Sequence, residues 1–242
     1  MEAVVYAGHG SRTESGNRTF TSFVNRVTEK VDVPIQEIGF LESATPSIPD
    51  AIETAVRRGA TSITVMPVLL MPGVHVNEDI PDIISVSKKQ YENVQFHYGS
   101  PLGADELAIQ TMQSKLPDDA DGTIVLVGHG SRDSEAKTAF TELTNLFAEQ
   151  TGFQSDQAFI KSTAPSISEK LQQLLEEGHQ TIYLLPYLLF TGGFMNKIAR
   201  EIAPFQASYG DCRIILCEPA GFDNRMESLL EKRVEEARTR RS

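Results

Sequence analysis

Two stretches of this chain, VVYAGHGSR at 4–12 and IVLVGHGSR at 124–132, are nearly the same phrase. Each is an apolar run rich in β-branched residues that breaks into Gly-His-Gly, the pattern of a buried strand delivering a histidine at its carboxyl end. The correspondence continues: GFLESATPSI at 39–48 maps onto AFIKSTAPSI at 158–167, and MPVLLMPGVH at 66–75 onto LPYLLFTGGF at 185–194. The shift is 120 from His9 to His129, 119 from Pro46 to Pro165 and through the third motif, and 118 from Pro101 to Pro219. A register that drifts by single residues while motif order is kept means two copies of one structural unit. A length of 242 residues accommodates both.

Within each copy short apolar runs alternate with longer helical patterns. In the first, strands are expected at 3–7, 35–41, 62–70 and 94–98, and helices near 14–30, 48–58, 78–90 and 105–116. Strand followed by helix, four times over, implies right-handed crossovers and a parallel sheet covered on both faces. The predicted fold is therefore α/β, two similar doubly wound domains from an internal duplication. The segment 117–122, Pro-Asp-Asp-Ala-Asp-Gly, has linker composition, which places the domains at 1–117 and 118–242. A last helix is expected at 226–238, where Met226, Leu229, Leu230, Val234 and Ala237 form one apolar stripe suited to packing.

Composition narrows the function classes. With 40% hydrophobic and 23% charged residues the chain can bury a core without disulfides. A net charge of −11 argues against a nucleic-acid surface, which needs clustered Lys and Arg. No apolar run is long enough to cross a bilayer and no basic, apolar leader precedes the first strand, so the expectation is a cytoplasmic protein with no membrane partner, a monomer or weak homo-oligomer. Cys212 and Cys217 lie five apart and read as reduced packing residues.

Doubly wound sheets bind ligands outside the carboxyl ends of their strands. His9 follows the first strand, Glu42 ends the second and His75 follows the third, so residues distant in sequence converge on one sheet edge. Their equivalents in the second copy are His129, Lys161 and Phe194, of which only the histidine is retained. Two neutral imidazoles and a carboxylate suit Fe²⁺, Co²⁺, Ni²⁺ or Zn²⁺, and three ligands leave positions open for exchange. Leu70, Met71, Pro72, Gly73 and Val74 supply an apolar lip before His75, as a cleft for a broad hydrophobic ligand would want. His97 and His179 read as structural.

GHGSR after the first strand, FLE followed by a proline, and PVLL...H at the third strand together resemble the class II tetrapyrrole chelatases, the sirohydrochlorin ferrochelatase and cobaltochelatase group. The likeness runs the whole length. It implies a lyase that binds one reduced tetrapyrrole in a cleft between the domains and inserts a divalent metal, Fe²⁺ or Co²⁺, with no organic cofactor. That is the last step of siroheme synthesis or an early step of cobalamin synthesis. It implies His9 as metal ligand and proton acceptor, His75 as second ligand, Glu42 as ligand or substrate-side carboxylate, and 70–74 as substrate-contacting loop. Arg12 is the foremost cation for substrate carboxylates, with Arg18 and Arg132 beside it. The sequence departs from the family at Thr45, before Pro46, where many members carry an acid; this throws weight onto Glu42. Histidine's ordinary pKa near 6.5 suits both ligand exchange and proton removal, and activity is expected to fall in more acidic solution.

Other classes fit less well. A histidine phosphatase wants Arg directly before its His, where Gly8 stands, and the third glycine of a dinucleotide fingerprint falls on Thr13. Non-haem iron oxygenases use two His and a carboxylate on a β-barrel. The serious competitor is a non-enzymatic carrier of metal or tetrapyrrole using the same ligands.

Overall fold

A computed structural model describes residues 1–240. The chain alternates strand and helix throughout: β1 (Glu2–Gly8), α1 (Glu14–Thr28), β2 (Ile35–Phe40), α2 (Ile48–Arg57), β3 (Ser62–Pro67), α3 (Ile80–Gln90), β4 (Gln95–Tyr98) and α4 (Glu106–Gln113). Then follow β5 (Thr123–Gly128), α5 (Ser134–Thr151), β6 (Ser155–Phe159), α6 (Ile167–Glu176), β7 (Thr181–Pro186), α7 (Gly193–Ser208), β8 (Arg213–Leu216) and α8 (Asn224–Thr239). They build two four-stranded sheets, ordered β2-β1-β3-β4 and β6-β5-β7-β8, with every pairing parallel. This is the expected duplicated α/β architecture.

In the first sheet β1 is central, with Val5 opposite Glu37 on one side and Val65 on the other. A strand flanked on both sides and covered on both faces has no polar side, which is why Ala3 to Ala7 are all fully buried. Ala3, Val5 and Ala7 meet Ile48, Ala51, Ile52 and Ala55 of α2 and Ile80 and Ile84 of α3. Val4 and Tyr6 point to the other face, on which α1 and α8 pack against each other and α8 against β3. The second unit repeats the scheme, with Val125 and Val127 against Ile167, Leu171 and Leu174 of α6 and Ile198 and Ile202 of α7.

The compact units do not coincide with the sequence repeats. The first comprises Met1–Gly103 with the chain from Asn224 onward; the second is Ala104–Asp223. Each repeat therefore gives its last helix away: α4 packs on α5 in the second unit, and α8 returns to close the first. The expected boundary at 117/118 follows the repeat, whereas the compact units are divided at Gly103 and Asp223. On α8 Met226, Leu229, Leu230 and Val234 are fully buried, as the stripe required. Glu227, only 3% exposed, is held by Arg26 Nε at 2.5 Å and Lys30 Nζ at 2.9 Å.

Three expected boundaries move by three residues. β3 stops at Pro67 rather than 70, because the chain leaves the sheet once Val68 N–H has bonded the Ala7 carbonyl. α4 ends at Gln113 rather than 116, with Ser114 as its cap. The helical path expected from 78 begins earlier, as a π turn over His75–Asp79 that runs into α3.

Candidate functional site

Each Gly-His-Gly phrase is a scaffold at the end of a central strand. Gly8 lies against the Phe20 ring, where a Cβ would meet it at 2.5 Å, and Gly128 lies likewise against Phe140 at 2.9 Å. Gly10 has φ +91 and lies so near the chain after β2 that a Cβ would stand 1.8 Å from the Glu42 carbonyl oxygen. Only glycine tolerates both demands. Leu41 N–H donates to the Gly8 carbonyl at 2.9 Å and Glu42 N–H to the His9 carbonyl at 3.0 Å. The carboxylate is thus tied to the histidine through the backbone. Asn17 closes the following turn, its side chain accepting from Ser11 N–H and donating to the Ser11 carbonyl, both at 2.8 Å. Ser47 and Asp50 cap α2 reciprocally behind Glu42.

On this scaffold His9 meets both predicted partners. Its Nε2 stands 3.8 Å from Glu42 Oε1, and its ring centroid lies 4.8 Å from that of His75, edge to face at 83°. All three are accessible, with side-chain exposures of 39% for His9, 60% for Glu42 and 43% for His75. The other nitrogens are occupied. His9 Nδ1 is 3.0 Å from the Gly10 carbonyl oxygen, and His75 Nδ1 is 2.6 Å from Asp79 Oδ2. Both partners can only accept, so each neutral imidazole carries its proton on Nδ1 and keeps the Nε2 lone pair for an ion or a proton.

The predicted trio is gathered pairwise rather than as a closed cage. Among the described residues no three His, Cys, Asp or Glu side chains stand ready to enclose an ion. The two imidazoles pack edge to face.

The lip from Leu70 to Gly73 is half-buried, and Val74 is 42% exposed. Its start is fastened by Leu102 N–H to the Leu69 carbonyl and Gly103 N–H to the Leu70 carbonyl, at 2.9 and 2.8 Å. Arg12 is exposed beyond the His9 turn, whereas Arg18 is paired with Glu14.

In the second unit the scaffold survives and two of the three side chains differ. Gly130 has φ +85 and would set a Cβ 1.7 Å from the Lys161 carbonyl oxygen, and His129 Nδ1 lies 2.9 Å from the Gly130 carbonyl. Phe194 takes the place of His75 edge to face, its centroid 4.7 Å from that of His129 at 86°. Lys161 stands where Glu42 would, its Nζ 5.4 Å from the Phe194 ring centre. A cation and a phenyl ring stand where the first unit has a carboxylate and an imidazole. A depression of about 460 Å³ also occurs in this unit, lined by Thr123, Gln154, His179 and Thr181 at the amino ends of the strands, away from the His129 rim.

Sequence reasoning missed Asp79. Its signal was present as a carboxylate four residues after His75, close to where the repeat register drifts.

Two parallel four-stranded α/β units, one bearing a His-Glu-His rim beyond its strand ends, define a duplicated α/β protein with one candidate site for a divalent ion among the described residues. The CbiX family model matches residues 3–119 and again 123–237, and the chain belongs to this family. It is 32% identical to the sirohydrochlorin ferrochelatase of Priestia megaterium, over 97% of this chain and 90% of that one. It is 29% identical to the sirohydrochlorin cobaltochelatase of the same organism, over 98% of this chain and 80% of the relative. The solved structure of SirB from Bacillus subtilis with Fe³⁺ superposes with a TM-score of 0.90 at 32% identity, covering 98% of this chain and 95% of that one.

Proposed function

We propose that this chain is a sirohydrochlorin chelatase, a lyase that inserts Fe²⁺, or in second place Co²⁺, into sirohydrochlorin with release of two protons. The observation that carries the reading is the His9 rim, where two imidazoles with free Nε2 atoms and a carboxylate meet at exposed strand ends. Membership of the family and the names of the relatives support it.

Metallation must move an ion from side chains to macrocycle nitrogens and take away two pyrrole N–H protons. His9 and His75 present Nε2 to the ion, which is a substrate of the reaction. Glu42 adds an anionic oxygen that favours a cation there and weakens as the charge passes to the macrocycle. Once the ion has left, His9 Nε2, 3.8 Å from Glu42 Oε1, accepts one pyrrole proton, and the other passes to solvent at this accessible rim. Accessibility lets the ligands exchange, unlike the closed cages of structural metal sites. Leu70 to Val74 contact the macrocycle, and Arg12 pairs with its carboxylate rim. The unpaired Cys212 and Cys217, and an ion needed in its divalent state, suit the reducing cytoplasm.

The test is anaerobic. Excess sirohydrochlorin and Fe²⁺ or Co²⁺ are followed by absorption with catalytic amounts of protein. Many turnovers per chain are expected, with His75→Ala slowed by about 100-fold or more. A limit of one metal delivered per chain would identify a carrier instead.

A further inference from the structure

The two halves fall out of step at one place. From His75 to Phe194 the shift is 119, but from Ile80 to Ile198, Ile84 to Ile202 and Tyr91 to Tyr209 it is 118. These are equivalent positions, since all four isoleucines are buried and each tyrosine caps its helix. The first half therefore holds one extra residue between His75 and Ile80, the span of the π turn. An added residue inside a helix is accommodated by an i to i−5 turn, and Ile80 N–H accordingly donates to the His75 carbonyl. In the second half α7 starts at Gly193 with no such turn.

Two side chains make use of the insertion. The wider turn frees the Val76 carbonyl from Ile80 N–H, and Tyr98 on β4 donates its hydroxyl to it at 2.8 Å. Tyr98 pairs with Val65, and the corresponding partner of Leu184 is Leu216, which has no hydroxyl. Asp79, the last residue of the turn, takes His75 Nδ1 at 2.6 Å. Phe194 has no nitrogen for such a partner. Insertion, tyrosine and carboxylate thus occur together in the half that keeps the second imidazole.

We propose that Asp79, carried by this inserted turn, is a positioning residue that fixes the orientation and tautomer of His75 and so presents its Nε2 to the incoming ion. A carboxylate on the far nitrogen is the usual way to lock a metal-binding imidazole, and its loss costs about 10–100-fold in metal affinity. The inference rests on His75 being a ligand of the substrate ion.

Co²⁺ alone is the binding probe, followed by calorimetry, and initial rates with sirohydrochlorin give KM for Co²⁺ and kcat. Asp79→Ala is expected to weaken Co²⁺ binding and raise KM for Co²⁺ about 10–100-fold, with a smaller change in kcat. Asp79→Asn, whose amide oxygen still accepts from Nδ1–H, is expected to recover most of the loss. Asp79 is 47% exposed, so both variants should melt close to the parent and a purely structural role would leave KM unmoved. A KM for Co²⁺ within about twofold of the parent in Asp79→Ala, while His75→Ala loses binding, overturns the inference and leaves the chelatase reading standing. If His75→Ala itself binds Co²⁺ and turns over like the parent, the reading of His75 and the inference fall together.

Discussion

At Gly10 the backbone takes a left-handed φ of +91 against the Glu42 carbonyl, and at Gly130 a φ of +85 against that of Lys161. Any Cβ at either position both strains the turn and pushes the neighbouring strand end away. Gly10→Ala and Gly130→Ala are therefore each expected to cost about 1–3 kcal/mol of stability. Their chemistry should separate: Gly10→Ala displaces Glu42 from His9 and loses metallation per folded molecule, whereas Gly130→Ala retains it. Thermal melts and initial rates on the two variants check this, and equal retention of activity would count against the Glu42 assignment. The residues of the rim were legible because Gly-His-Gly, Phe-Leu-Glu and the lip before His75 each mark a strand end. The tautomers were not, because they depend on the Gly10 carbonyl and on Asp79, which sequence spacing alone does not bring to a particular nitrogen.

The last helix shows what periodicity can and cannot say about an element. The stripe on α8 announced burial, but an apolar stripe does not name its host, and only packing on α1 and β3 assigns it to the first unit. Its fully buried apolar side chains contribute about 1.5–3 kcal/mol each, well above what partly exposed ion pairs supply. Glu227 is the buried exception among the charges of α8. Burial by itself raises its carboxyl, but hydrogen bonds and charge from Lys30 and Arg26 outweigh that and hold it below the usual range. A carboxyl lowered on folding stabilises above its unfolded pKa, near 4.3 for Glu, and the contribution fades as pH falls through the folded value. Glu227→Gln is thus expected to melt lower than the parent at pH 7, by about 1–2 kcal/mol. In melts carried downward from there the gap should narrow only once the solution is more acidic than the ordinary carboxylate range. A gap independent of pH would show that the ion pairs are not its source.

For the molecule as a whole, the duplication, the parallel sheets and the alternation of strand and helix followed from repeat register and apolar runs. The exchange of last helices did not, since a linker composition at 117–122 marks the seam of a repeat and says nothing of where its helices pack. A chain ending at residue 117 keeps α4 without α5 and leaves the face for α8 uncovered. It is expected to aggregate or self-associate in gel filtration rather than run as a stable monomer. Doubling also leaves the first scaffold with His9, Glu42 and His75 and the second with His129, Lys161 and Phe194, and the proposed reaction belongs to the first. The most direct measurement sets His9→Ala beside His129→Ala in the same anaerobic assay, with sirohydrochlorin in excess and Co²⁺ or Fe²⁺ supplied. Loss of most turnover in His9→Ala with most retained in His129→Ala is the predicted result; equal loss in both, or loss in His129→Ala alone, would contradict it.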